Sequence, residues 1–201
     1  MEDFYVIPEN YFSKEAADHY ERSPRMRKVQ RELTERAIEL LELKKGRVID
    51  VGCGTGFSLA VLKERGFDAV GVDISQPMLD IAKKKGLSVK RADFACLPFN
   101  DGTFDGLLSI SSLQWVYGKS YEDILDKYSK IAKEFYRILK EGGRGVVQFY
   151  PKSEEEFNTV LKMFKKAGFK VTLAIDYPHI RKKTKKFVIL TKPNLKQFEN
   201  S

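Results

Sequence analysis

One short stretch constrains this chain more than any other: Val48-Ile49-Asp50-Val51-Gly52-Cys53-Gly54-Thr55-Gly56. A β-branched run with no polar face reads as a buried parallel strand, and the glycines after it let the backbone turn sharply and approach a ligand closely. That is a strand feeding a nucleotide-binding loop. Downstream, Val70-Gly71-Val72-Asp73 reads as a second strand ending in a carboxylate, at the interval where an open α/β sheet places the acid that binds a ribose hydroxyl.

The glycine spacing separates the possible ligands. A dinucleotide fingerprint would need glycine where this chain has Phe57, whereas the third glycine falls one position earlier, at Gly56. The loop therefore favours S-adenosylmethionine over NAD, because a ligand without a pyrophosphate needs backbone room for an amino-acid tail more than a helix terminus aimed at phosphates. A purely steric glycine turn is the bland alternative, and Asp73 weighs against it.

At 201 residues the chain suits one domain, divided into a helical N-terminal segment (1–44), a ligand-binding core (45–191) and a tail (192–201). No run is long enough to span a membrane, and the acidic start Met1-Glu2-Asp3 does not resemble a signal peptide, so a cytoplasmic location is expected. Cys53 and Cys96 match neither a disulfide framework nor a zinc spacing and read as small packing residues, and no metal is expected. The net charge of +8 suggests an anionic partner, nucleic acid first, although heat adaptation also raises Lys and Glu together. Arg181-Lys182-Lys183-Thr184-Lys185-Lys186 is the cluster of interest, lying between two late strands; Lys83-Lys84-Lys85 closes a helix and offsets its dipole.

In chain order, a short helix from about Lys14 to Tyr20 precedes a longer one capped by Ser23 with Pro24 in its first turn. Met26, Val29, Leu33, Ala37 and Leu40 or Leu41 give the second helix a buried stripe, which docks on the core near the cofactor. Tyr11, Tyr20 and Arg25 stand near the junction, and Arg25 is either a partner for the cofactor carboxylate or a solvated arginine. Leu87 to Arg91 is expected as a third strand; Asp93-Phe94 follows, an acid for an adenine amino group beside a ring to pack on the base, or else a simple turn. Gly106 to Ile110 is the fourth strand, so Ser111-Ser112-Leu113-Gln114-Trp115 leaves its C-terminal edge, where open α/β sheets bind ligands. Trp115 is there either a core anchor or a stacking surface. A capped helix from Ser120 is expected to run to Gly142, followed by a strand from Gly145 to Phe149 and a helix capped by Ser153 and Glu156. Strands over Phe169 to Ala174 and Phe187 to Thr191 are expected as an antiparallel edge pair.

Together the glycine loop, Asp73, Asp93, the alternating elements and the late strand pair resemble the class I S-adenosylmethionine-dependent methyltransferases. That resemblance implies a seven-stranded, mostly parallel α/β sheet in order 3-2-1-4-5-7-6 with helices on both faces and an N-terminal helical cap. Within the class, the sequence resembles the guanine-N7 methyltransferases of small-subunit ribosomal RNA, through Pro8-Glu9-x-Tyr11-Phe12, Asp50-Val51-Gly52-Cys53-Gly54, Gly71-x-Asp73-Ile74-Ser75-x-Pro77-Met78, Ser109-Ile110-Ser111 with Gln114-Trp115, Gln148-x-Tyr150-Pro151 and Asp176-Tyr177-Pro178. The cofactor side then comprises Asp50, Gly52, Cys53, Gly54, Gly56, Asp73, Ile74, Met78, Asp93, Phe94, Ser109 and Arg25. The substrate side comprises Trp115 and Tyr150 as walls of a pocket for an extruded guanine, with Gln114 and Asp176 as hydrogen-bond partners of its edge.

The resemblance also implies a small zinc-containing activator protein beside the third strand, where an open sheet edge can accept a partner strand. The chain stops soon after Thr191 without the family's long basic extension, which argues against a nuclear location. Two other readings compete with ribosomal RNA methylation: methylation of a small molecule such as a quinone or carboxylate, and an RNA-binding role in ribosome assembly with methylation dispensable.

Overall fold

The computed structural model describes residues 13–180 and 184–194. The motif around Tyr11, residues Arg181 to Lys183 of the basic loop, and most of the tail lie outside the described residues.

Alternation along the first strand sets the layers. In β1 (Arg47–Val51), Val48 packs into one hydrophobic cluster while Ile49 and Val51 pack into another, so the strand is apolar on both faces. Such burial is what a parallel strand flanked by helices requires. The remaining strands are β2 (Asp68–Asp73), β3 (Val89–Arg91), β4 (Phe104–Ile110), β5 (Leu139–Gln148), β6 (Lys170–Asp176) and β7 (Lys185–Thr191). They form one seven-stranded sheet in the order β3-β2-β1-β4-β5-β7-β6, with β7 antiparallel to both neighbours and the other pairings parallel.

The helices are α1 (Lys14–Arg22), α2 (Pro24–Leu41), α3 (Phe57–Glu64), α4 (Gln76–Lys84), α5 (Tyr121–Ile138) and α6 (Glu154–Lys166). Leu33, Ala37 and Leu41 of α2 pack with Leu59 and Leu62 of α3 and Leu79 of α4 on one face. Phe135 and Ile138 of α5 and Phe157, Val160 and Phe164 of α6 fill the other. Ser23 accepts from the Met26 N–H at 3.3 Å and Pro24 occupies the first turn, so the expected cap begins α2. Ser120 and Ser153 cap α5 and α6 in the same way.

One boundary differs from expectation. The helix expected to reach Gly142 stops at Ile138, and β5 begins at once with Leu139, which pairs with Phe104 before a register shift brings Arg144 opposite Gly106. Leu139 is fully buried, so continuing the strand inward removes more apolar surface from water than another helical turn into solvent. Gly142 takes a positive φ of 75° at this irregularity rather than ending a helix.

The strand order places the site. The C-terminal ends of β1, β2 and β4 converge beneath α1 and α2, and the chain leaving each strand contributes a loop to the same cavity.

Candidate active site

The glycine loop is shaped by backbone geometry. Gly52, Gly54 and Gly56 all have positive φ, at 84°, 52° and 85°. Gly52 and Cys53 both donate their N–H to the Val72 carbonyl, at 2.8 and 3.0 Å, which ties the loop to the end of β2. Gly54 donates to Asp73 Oδ2 at 2.9 Å, and Ser75 donates to Asp73 Oδ1 at 2.9 Å. Each carboxylate oxygen therefore holds one backbone amide and keeps lone-pair capacity for a ligand. Burial raises the Asp73 carboxyl above its ordinary range, and the amides of Ser75 and Gly54 pull the other way.

A cavity of about 360 Å³ opens above this loop. One end is lined by Tyr20, Gln30, Gly52, Cys53, Gly54, Asp73, Ile74 and Met78, and the other by Ser111, Ser112, Gln114, Trp115 and Tyr150. The first end suits S-adenosylmethionine. Asp73 offers two acceptors for a diol, the loop offers backbone without side chains, and Ile74, Met78 and Phe94 offer apolar surface for a purine. Asp50 lies beneath the loop, and its Oδ1 has no hydrogen-bond partner among the described residues.

Several expected site residues sit elsewhere. Asp50 is fully buried and outside the cavity lining, where it accepts from the Ser58 hydroxyl of α3. Burial pushes its carboxyl up to about 7, with the Ser58 hydrogen bond pulling downward. The sign follows: a folded-state value raised above the unfolded one of about 4 contributes stability below pH 4 that is lost as pH climbs toward 7. Wild-type melting temperature should therefore fall between pH 5 and 7 relative to Asp50→Asn; parallel curves for the two proteins across that range would refute the assignment.

Gly56 is outside the cavity lining. It begins α3, and a Cβ there would meet Leu87 Cδ1 at 2.4 Å, so it is a turn and packing glycine. Ser109 is buried with its Oγ 2.6 Å from that of Ser112, and Ser112 in turn donates to the Val51 carbonyl at 3.1 Å. Ser109 thus holds a lining residue in place. Arg25 is exposed and outside the lining, while its neighbour Met26 faces inward, a consequence of helical rotation within α2. Asp93 accepts from the Ala95 N–H at 2.8 Å and lines an adjoining cavity of about 290 Å³, with Ile74, Phe94 and Trp115 shared between the two.

Asp176 is not brought to the cavity. Its two oxygens accept from Arg36 Nε and Nη2 at 3.0 and 3.2 Å, a bidentate pair that fastens the end of β6 to α2. The pair is partly exposed, so Asp176→Ala should cost at most about 1 kcal/mol of stability and leave cofactor affinity unchanged. A calorimetric titration showing weaker cofactor binding by that variant would return Asp176 to the site.

Other lining residues carried weaker sequence signals. Gln30 falls within the buried stripe of α2, between Met26 and Leu33, and a polar residue in such a stripe, as Thr34 also is, is the signal that marks it. Its side chain bonds to Tyr20, whose phenol is pushed up to about 12, chiefly by burial and secondarily by the nearby Asp50 charge. Ser111 has a φ of 54°, donates its N–H to the Gln148 carbonyl at 2.7 Å and its hydroxyl to Gln148 Oε1 at 3.0 Å. A serine in the left-handed region at a strand end is a strain that spacing alone does not reveal.

Residues 49–147 match the methyltransferase domain family. The chain is 31% identical over 191 residues to the 18S rRNA (guanine-N(7))-methyltransferase of Schizosaccharomyces pombe, covering 91% of this chain and 71% of that protein. It is 36% identical to the Bos taurus protein of the same name, covering 91% and 68%. The chain belongs to this methyltransferase family. It is an S-adenosylmethionine-dependent methyltransferase. Among solved structures, a chain of the complex between the Haloferax volcanii Trm112 methyltransferase activator and a methyltransferase shares the fold, with a TM-score of 0.70, 19% identity and coverage of 94% and 97%. Among the described residues, no group of three or more His, Cys, Asp and Glu side chains could hold a metal ion, and no helix is long and apolar enough to cross a membrane.

Proposed function

We propose that this methyltransferase modifies N7 of a guanine in small-subunit ribosomal RNA, as the names of its relatives describe for theirs. The observation carrying this reading is the juxtaposition, around one cavity, of the Asp73 and glycine-loop end with the Trp115, Gln114 and Tyr150 end. Asp73 and the glycine loop would hold the cofactor, which would supply an electrophilic sulfonium methyl to the N7 lone pair, the carbon–sulfur bonding pair returning to sulfur to leave a neutral thioether and a cationic 7-methylguanine. N7 carries no proton, so no general base is required, and positioning with exclusion of water suffices. The side chains fit that demand. Among the described lining residues Asp73 is the only carboxylate, and it is engaged at the cofactor end. Trp115 and Tyr150 serve as walls for a base extruded from the RNA.

The chain works as one methyltransferase domain in the cytoplasm beside a small activator. An activator at β3 is supported by that strand's position at the sheet edge, where among the described residues it pairs only with β2, and by the fold shared with a chain of the Haloferax volcanii complex. The test is transfer from methyl-labelled cofactor to small ribosomal subunits, with and without an added activator of the Trm112 type, followed by nucleoside analysis. Labelled 7-methylguanosine is expected. Cofactor binding with no label in RNA under either condition would redirect the search to a small-molecule substrate.

A further inference from the structure

Two contacts at the substrate end define what the cavity can offer a base, and a third, away from the cavity, keeps Asp176 out of it. Gln114 Oε1 accepts from the Tyr150 backbone N–H at 3.4 Å. A backbone amide can only donate, so the side-chain amide is oriented with Nε2 as its uncommitted end. Lys185 Nζ lies 3.0 Å from the Tyr150 phenolic oxygen and 5.1 Å from the ring centroid. An ammonium also only donates, so the phenolic oxygen is the acceptor and its own proton is left to donate elsewhere. The sheet produces this contact: β5 and β7 are antiparallel with Gln148 opposite Phe187, so continuing the register two residues brings Lys185 beside Tyr150. Finally, Asp176 is engaged with Arg36. The substrate end thus presents two donors from Gln114 and Tyr150, while the cavity's one described carboxylate is held at the opposite end.

Resting on the proposed substrate, we infer that the target base is read on its Hoogsteen edge, with guanine O6 accepting from Gln114 Nε2 and the Tyr150 hydroxyl, and with Lys185 as the positioning residue that turns that hydroxyl toward the base. O6 adjoins N7 on that edge, so the contact that identifies the base also aims the nucleophilic nitrogen. Adenine places an amino donor where guanine has O6, so two protein donors would oppose it. Among the described lining residues no carboxylate other than Asp73 is present to read the Watson–Crick edge, with its N1–H and N2 amino group.

The test uses the full chain, with activator if methylation requires it, on small subunits reconstituted with RNA carrying inosine or 2-aminopurine at the methylated guanosine. Inosine lacks only the N2 amino group and should keep kcat/KM within about threefold, whereas 2-aminopurine lacks O6 and should lose roughly 10- to 100-fold. Tyr150→Phe and Gln114→Ala should each lower kcat/KM on guanosine about tenfold while scarcely changing the 2-aminopurine rate. Taking ratios of variant to wild type on each base cancels intrinsic differences in N7 reactivity. Lys185→Gln, which keeps a donor, should retain more guanosine preference than Lys185→Met. An equal loss on both bases for Tyr150→Phe and Gln114→Ala, or a loss with inosine as large as with 2-aminopurine, overturns the inference while leaving the substrate reading intact. Absence of 7-methylguanosine from unsubstituted particles overturns the substrate reading, and the inference with it.

Discussion

Replacing Asp73 with asparagine is expected to weaken S-adenosylmethionine binding at least about 100-fold, with secondary structure retained. The side chain accepts from two backbone amides, Gly54 on the loop and Ser75 at the start of α4, each at 2.9 Å. An asparagine has one oxygen for these two donors, so its amide nitrogen must face an N–H, and hydrogen bonds to a charged acceptor contribute about 1.5–3 kcal/mol each. The loop that shapes the cofactor end then loses one of its anchors, and a ribose diol loses an acceptor with spare lone pairs. Each 1.4 kcal/mol is a factor of ten in affinity, so losing the equivalent of two charge-assisted contacts gives the stated factor. The β1–β2 pairing is backbone ladder and stays in place, so circular dichroism should be unchanged. Isothermal titration checks the result with cofactor or its demethylated product; affinity within threefold of wild type would show that Asp73 shapes the loop without holding ligand.

The parts of this molecule that follow from local rules were legible in its sequence. Val48 to Val51 could hardly be anything but a buried strand, Ser23-Pro24 and Ser153 through Glu156 are cap signatures, and the glycine loop fixed where ligand chemistry belongs. The departures share a cause, which is dependence on partners distant in sequence. The end of α5 differs from the sequence expectation because Leu139 finds its partner in Phe104, a pairing that helical periodicity around Gly142 does not encode. Asp176 looked available because Arg36 lies 140 positions away. Ser109 and Gly56 belong to motifs whose spacing marks them, yet one positions Ser112 and the other packs on Leu87. Motif membership therefore identified the neighbourhood, while division of labour within it came from contacts that fold the chain back on itself. Gln114 illustrates the limit best: its residue type left open whether it donates or accepts toward a base, and only the Tyr150 amide decides which end is committed.

Two glycines of the same loop should separate folding from binding when each is changed to alanine. Gly52 has a φ of 84°, and a Cβ there would lie 2.3 Å from Ser112 Cβ and 2.7 Å from its Oγ. Ser112 cannot yield, being buried and held by the Val51 carbonyl and Ser109. A non-glycine residue in the left-handed region costs about 1–2 kcal/mol, and overpacking a filled site about 1–3, so Gly52→Ala should lose roughly 2–5 kcal/mol of stability. For a domain of this size that lowers the melting temperature by roughly 5–15 °C. Gly54, with a φ of 52°, has nothing within 4 Å of its ideal Cβ and lines the cavity. Gly54→Ala should therefore cost only about 1 kcal/mol in stability, while its methyl group narrows the space over which a ligand must approach the loop, and cofactor affinity should fall about tenfold or more. Thermal denaturation paired with calorimetric titration reads both quantities. A Gly52→Ala protein melting within 2 °C of wild type would mean that the β4 end can shift to admit a methyl group, and an unaltered cofactor affinity in Gly54→Ala would mean that the ligand does not approach the loop at that residue.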